Sequence, residues 1–401
     1  MTAQPLSHLP LRATDLVGDL PNPLLLRRHA PVLDGLRGVA ILLVLLMHLM
    51  PSGPSTTLLG KFAKSFAEIG SAGVDLFFVL SGFFITGILL NAKGAPHYFR
   101  NFYARRVLRI FPLYYGMLLV SLVLIPLIWP PTSPDARRIV HDQGWLWLYV
   151  SNIKGSFSAL DRPFSAGWMQ FDHFWSLALQ EQFYLIWPVL ILLLNRRWMI
   201  WLCTMLIGLA LATRCWLYWN GDETAAFYSL TLCRLDELAI GSLLALMGRE
   251  RLNIARMKNI ATIAALTCGV ILAAIWNTDA RAMTLGGTLF SFLFGALVVL
   301  ALATAPNNPL RTLLTLQPLC KIGQFSYAIY VLHPMLLAIL ANFITYQRLG
   351  TIVHSGELGV FLYLIIGFAL TLAAGWASWH LYEKHFLKLK RFVENPKKAV
   401  V

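Results

Sequence analysis

Composition, hydropathy and the placing of basic residues point to an all-α polytopic integral membrane protein of about ten transmembrane helices, both termini cytoplasmic. Hydrophobic residues make up 57% of the 401 and charged residues only 13%, which excludes a soluble globular domain; 24 Phe, 13 Trp and 13 Tyr suit aromatic belts at two interfaces. Ten stretches are long and apolar enough for a helix to cross about 30 Å of hydrocarbon. With the N-terminus cytoplasmic, 23 of the 33 Lys and Arg fall in inner segments and 8 in outer ones, as the positive-inside rule requires. The net charge of +14 therefore reports orientation, and no nucleic-acid partner is expected.

The expected organisation is a cytoplasmic tail over residues 1–32, one membrane domain over 33–383 and a basic cytoplasmic tail over 384–401. The first span, 33–50, is expected to be retained, because Met50-Pro51-Ser52-Gly53 lacks a small-residue cleavage pattern. It runs from Leu33-Asp34-Gly35-Leu36-Arg37 to Met47-His48. Arg37 and His48 are eleven residues apart, about 16 Å and close to three turns, so they face similar directions at opposite depths. That spacing suits an extended ligand with an anionic end at the cytoplasmic mouth and a reactive end deep in the bundle. The second span, 73–91, enters from outside and brings Asp75 near the depth of His48, with Ser81-Gly82 further in. The third, 110–130, follows Arg105, Arg106 and Arg109 on the cytoplasmic rim.

Residues 131–173 form a long outer loop with Trp145, Trp147 and Trp168, readable as a functional loop or as a cap over the bundle. The fourth span, 174–194, opens Phe174-Trp175-Ser176 and carries Glu181 about two turns down. After a fifth span at 198–218, the sixth, 225–248, holds Arg234, Asp236 and Glu237; Arg234 and Glu237, three apart, are expected to pair structurally. Spans at 257–276 and 285–304 precede the ninth, 322–343, which brings Tyr330 and His333-Pro334 to mid-membrane, and the tenth, 358–381. The five cysteines are odd in number, scattered and without C-x-x-C spacing, so neither a disulfide framework nor a metal site is expected.

Ionisable residues are costly in hydrocarbon and mark function by default. His48 alone is equally readable as an interfacial residue, but five helices bringing polar groups to the outer half of one bundle describe a site. The segments Leu33–His48, Gly73–Phe83, Arg105–Tyr115, Phe174–Tyr184, Arg234–Gly241, Ser326–Pro334 and Tyr382-Glu383-Lys384, in this order, resemble the integral-membrane acyltransferase-3 family. That resemblance covers about Leu33 to Glu383. It implies transfer of an acyl group, commonly acetyl, from acyl-coenzyme A to a hydroxyl of a bacterial cell-surface carbohydrate or a small molecule such as a macrolide, in the bacterial plasma membrane. The family's essential Arg-x10-His pair falls on Arg37 and His48, and its Arg-x-x-Arg on Arg106 and Arg109. One departure stands out: the fourth-helix motif usually has two adjacent acids, and here it reads Gln180-Glu181.

Acyl transfer from a thioester needs a base near the hydroxyl, a positioned carbonyl and exclusion of water. His48 is the expected general base, with Glu181 orienting its ring. Arg37, Arg105, Arg106 and Arg109 are expected to bind the coenzyme A phosphates, topological anchoring being the alternative for the third-helix set. Asp75, Ser81, Arg234, Tyr330 and His333 are expected to form the polar core; His333 before Pro334 marks either a kink or a substrate-facing group. Ser81 has no evident base, so direct attack on the thioester is simpler than an acyl-enzyme. A glycan or lipid transporter would also carry ten helices and buried charge, but its inverted repeats are not found. A non-catalytic polar scaffold would tolerate loss of His48.

Overall fold

The structure, a computed structural model, describes residues 24, 30–50, 60–61, 65, 67, 69–158, 162–221, 226–250, 253–275, 282–305 and 307–392. Most of the expected N-terminal tail, the Pro51–Gly53 junction and the basic tail from residue 393 lie outside the described residues. Among the described residues, nine helices are long and apolar enough to cross a membrane. They make this an all-α, multi-pass membrane protein.

The first helix, α1, spans Pro31–Leu49, with the proline in its first turn where no helical N–H is needed. It is followed by α2 (Ala72–Ala92) and α3 (Tyr98–Leu118), the latter continuing through a π turn at Leu119–Leu124 to Ile128. Because α3 begins at Tyr98 rather than near residue 110, the three arginines sit within the helix. The outer loop is built from short helices α4 (Pro134–His141), α5 (Gly144–Trp147) and α6 (Ser151–Phe157) and a strand pair, β1 (Ser165–Ala166) and β2 (Met169–Gln170). Then come α7 (Phe174–Leu193) and α8 (Arg196–Trp219), whose start is capped by the Asn195 side chain accepting from the Trp198 N–H.

The sixth expected span is broken. A turn of helix at Ala226–Ser229 and a 3-10 turn at Thr231–Arg234 lead into α9, Leu235–Met247. Broken backbone is tolerated at membrane depth only where protein groups satisfy it. Here the Arg214 guanidinium of α8 supplies that partner, donating to the freed Cys233 carbonyl. The chain closes with α10 (Ile254–Ile275), α11 (Gly287–Ala303), α12 (Gln317–Phe343) and α13 (Gly356–Ser378), which runs on through a π turn at Trp379–Glu383.

Two close helix pairs organise the bundle: α2 lies against α9 and α1 against α12. Lipid supplies no hydrophobic drive between helices, so small residues that let backbones approach do much of this work. A Cβ on Gly82 of α2 would strike the Leu238 carbonyl of α9, and one on Gly241 of α9 would strike the Val79 carbonyl of α2.

Charge closes the same junction. Arg214, 2% exposed, donates to Thr284 O at 3.0 Å, to Cys233 O, to Asp236 Oδ1 at 3.3 Å, to Asp236 Oδ2 at 2.6 Å and to Thr288 Oγ1. Those five partners match the five N–H groups of a guanidinium. The pair ties α8, α9 and α11 together. Breaking a buried pair from one side costs about 3–5 kcal/mol, because a bare charge remains. Asp236→Ala is therefore expected to lower the thermal midpoint of the detergent-solubilised protein sharply, whereas Arg214→Met combined with Asp236→Leu should recover most of the loss. Simply additive losses in a double-mutant cycle would show that the two side chains are not coupled.

Candidate active site

A cavity of about 480 Å³ opens between α1, α2, α3, α7 and α12. One end is cationic. Arg37 of α1 and Arg106 and Arg109 of α3 line it, together with Asp34, Glu181 and Tyr184. Arg37 donates to Ser326 Oγ of α12 at 2.9 Å and lies 3.9 Å from Asp34. The Arg106 guanidinium sits over the Tyr184 ring at 4.7 Å and within the field of Glu181, a cation on an aromatic face. Gln180, which replaces one of the paired acids, donates to Ser81 Oγ at 3.3 Å. Arg105 points elsewhere: its Nε donates to the Asn101 carbonyl at 2.9 Å, and it does not line the cavity. Of the three arginines expected at the phosphates, Arg106 and Arg109, three residues apart, face the cavity and Arg105 does not.

The other end of the cavity is closed by Tyr330, Ser176 and Phe77. Tyr330 and Ser176 hydroxyls meet at 2.6 Å, and both lie within reach of the His173 carbonyl, at 3.0 and 3.1 Å. Behind this wall stand three histidines. The His48 and His333 rings meet edge to face at 4.8 Å, and those of His333 and His173 lie 5.4 Å apart. Because α1 and α12 run side by side in the same direction, Arg37 meets Ser326 at one depth and His48 meets His333 at the other. His48 is exposed at its end of the bundle, while His333 is wholly buried.

The histidine tautomers follow from their neighbours. His48 Nδ1 lies 2.9 Å from Val44 O, and a carbonyl can only accept, so Nδ1 carries the proton and Nε2 presents the lone pair. An imidazole held in that way is ready to act as a base.

Glu181 does not orient this ring. It lines the arginine end of the cavity, and among the described residues the ring partners of His48 are Val44 O and His333. The shared depth inferred from helix entry is overridden by helix rotation, which turns Glu181 toward α3. Asp75 and Arg234 form a closed group of their own: Arg234 binds Asp75, lies 3.1 Å from Glu237 Oε1, and is boxed by the rings of Phe78, Trp175 and Tyr228 at 5.4–5.6 Å. The expected Arg234–Glu237 pairing is present, and Asp75 is committed to the same arginine.

Sequence reading passed over His173, Ser176, Tyr184 and Ser326. His173 immediately precedes the first apolar residue of α7, where it reads as an interface residue, and only the folded outer loop turns it inward. That loop is well tied: Tyr114 donates to Leu146 O at 2.7 Å, Gln182 to Tyr149 O at 2.9 Å, and Asp172 accepts from the Phe164 N–H at 2.8 Å and from Ser165. Burial pushes the Asp172 carboxyl up, against those hydrogen bonds and the nearby Arg162.

A family model described as an acyltransferase domain matches residues 31–380. The chain belongs to the acyltransferase-3 family. It is 31% identical over 330 aligned residues to a peptidoglycan O-acetyltransferase of Listeria monocytogenes, covering 77% of this chain and 49% of that protein. It is 24% identical over 399 aligned residues to an O-acetyltransferase of Staphylococcus aureus, covering 92% of this chain and 60% of the relative. The acyltransferase-3 chain thus spans roughly half of these curated relatives. No solved structure matches it. Among the described residues, no group of three or more His, Cys, Asp or Glu side chains is arranged to hold a metal ion.

The cavity in this acyltransferase-3 bundle makes a direct expectation. Ser81→Cys, on its wall, should react with a small water-soluble thiosulfonate, while Ser242→Cys, 0% exposed between α2 and α9, should resist it. Equal or reversed reactivity would mean that the cavity is closed to water.

Proposed function

We propose that this chain is a bacterial plasma-membrane O-acyltransferase. It takes an acyl group, acetyl in the simplest case, from a coenzyme A thioester and passes it to a hydroxyl of a cell-surface carbohydrate. The observation that carries this reading is the cavity itself, with three arginines at one end and, past the Tyr330–Ser176 wall, an exposed histidine held through Nδ1 at the other. The names of the relatives, which specify peptidoglycan in one case, favour a cell-wall glycan as the acceptor.

In this reading the phosphates of the donor rest on Arg37, Arg106 and Arg109, guanidinium groups being suited to bidentate phosphate contacts. The pantetheine arm runs along α1 toward His48, about 16 Å away, and reaches it by displacing the Tyr330–Ser176 wall. His48 Nε2 takes the proton of the acceptor hydroxyl as its oxygen attacks the thioester carbonyl. Glu181 belongs to the donor end, where its charge offsets that of Arg106. Arg105 stays outside the cavity and acts as a membrane anchor. The arginine end faces the cytoplasm, where coenzyme A thioesters are made, and the histidine end faces out.

His48→Ala should fold and bind acetyl-coenzyme A with near-normal KM, while kcat falls at least ~10²-fold, the lower end of what a positioned base supplies. Arg109→Ala should instead raise the donor KM with a smaller change in kcat. Near-normal transfer by His48→Ala would sink the mechanism, and a kcat-only effect at Arg109 would remove the phosphate role. Sidedness has its own check: a cysteine placed at Ser158 should be labelled by an impermeant reagent added to intact cells, and labelling only after lysis would reverse the orientation.

A further inference from the structure

His333 takes no part in the mechanism above, yet the sequence around it fixes its chemistry closely. Pro334 has no N–H, so it cannot make the helical hydrogen bond to the carbonyl four residues back, which is that of Tyr330. His333 fills the gap. Its Nδ1 lies 2.8 Å from Tyr330 O and 3.2 Å from Ile329 O. Two carbonyls can only accept, so Nδ1 carries the ring proton and Nε2 is left with its lone pair. That Nε2 is buried and has no hydrogen-bond partner among the described residues. Leaving a buried acceptor unsatisfied is unfavourable, and a purely structural side chain at this position has no need of one.

The surroundings point the same way. His48, bonded through Nδ1 to Val44 O, meets His333 edge to face at 4.8 Å. His173 flanks His333 on another side at 5.4 Å, and its Nε2 is also buried without a hydrogen-bond partner among the described residues. Tyr330, whose ring centroid is 5.7 Å from that of His333, lines the donor cavity. The titratable and charged groups facing His333 are therefore His48 from α1, His173 from the turn before α7 and Tyr330 from its own helix. Arg162 in the outer loop adds its charge to His48 and His173. His333 lies between the exposed histidine and the donor cavity.

We propose that His333 is a proton relay acting through His48, carrying the acceptor's proton inward to the departing thiolate. This rests on the acyl-transfer reading given above. The acceptor O–H bond breaks, its proton passing to His48 Nε2, and the oxygen forms the new C–O bond at the thioester carbonyl. The C–S bond breaks with its electron pair on sulfur. His48 hands its proton to the free Nε2 of His333, and His333 gives it to the thiolate. Both rings end neutral, and the products are an ester and free coenzyme A thiol. With Nδ1 held by the two carbonyls, the proton arrives and leaves at Nε2, so His333 acts on the leaving group directly while His48 faces the acceptor.

The test uses the full chain in lipid vesicles, with radiolabelled acetyl-coenzyme A as donor and chitotetraose as probe acceptor, reading thiol release and acetylated sugar together. His333→Gln should keep the wild-type donor KM and thermal midpoint while kcat falls about 10²-fold. In His333→Ala, added imidazole should restore a measurable part of the lost kcat, a rescue that a merely structural ring would not give. Turnover of His333→Gln within about threefold of wild type overturns the relay, as does a loss in His333→Ala that imidazole leaves unrepaired. A wild-type protein that releases no thiol sinks the acyl-transfer reading, and the relay with it. Transfer by wild type with no rescue at His333 removes the relay alone.

Discussion

A charge withdrawn from water into hydrocarbon must be met by an opposite charge or by hydrogen bonds, and this bundle meets that demand in two different ways. Arg214 and Asp236 saturate each other and nearby carbonyls, and Arg234 is enclosed by Asp75, Glu237 and three aromatic rings. These closed groups knit α2, α8, α9 and α11. Arg37, Arg106 and Arg109 instead border an open cavity, with local compensation from Asp34, Glu181 and Glu383. Scaffold and candidate site thus differ in whether their charges lie in closed groups or along an open cavity.

The same contrast applies to neutral polar groups. Thr86, Ser242 and Trp187 satisfy one another across α2, α9 and α7, with Thr86 donating to Ser242 at 2.8 Å and Trp187 donating to Thr86 at 2.8 Å. His173 and His333 each keep a buried nitrogen without a hydrogen-bond partner among the described residues. Helix packing holds those rings in place: α12 is locked to α1 along most of its length, and the outer loop is tied to α3 and α7 by Tyr114, Tyr115 and Gln182. A proton-transfer site needs such rigidity, because small displacements between donor and acceptor are costly. Of the two readings open at the sequence level, the folded cap is the one this packing describes, and it places His173 against His333.

Much of this was legible along the chain because it depends on local properties. Hydropathy over windows of about twenty residues located nine long helices, since crossing hydrocarbon is a length requirement. The eleven-residue spacing of Arg37 and His48 put them at opposite depths of one helix, since helical rise is constant. Even the tautomer of His333 is written locally, in a proline that frees the carbonyl its neighbour then takes. The break before α9 is not legible along the chain because it is stabilised by Arg214, 19 residues before Cys233 and on another helix.

What tertiary structure alone decided is which polar groups meet. Glu181 and His333 both come within reach of mid-bundle by counting residues, but counting does not fix how each helix is rotated about its own axis. Rotation is set by side-chain packing between helices, and here small residues at Gly82, Gly241 and Gly323 choose the contact faces. That choice turned Glu181 toward Arg106 and gave His48 a histidine rather than a carboxylate as its neighbour. Sequence determined the membrane class, the depths and the chemical types of the candidate residues, because these follow from composition and helical rise. Their pairing was decided by packing, a property of several helices at once that no single segment encodes.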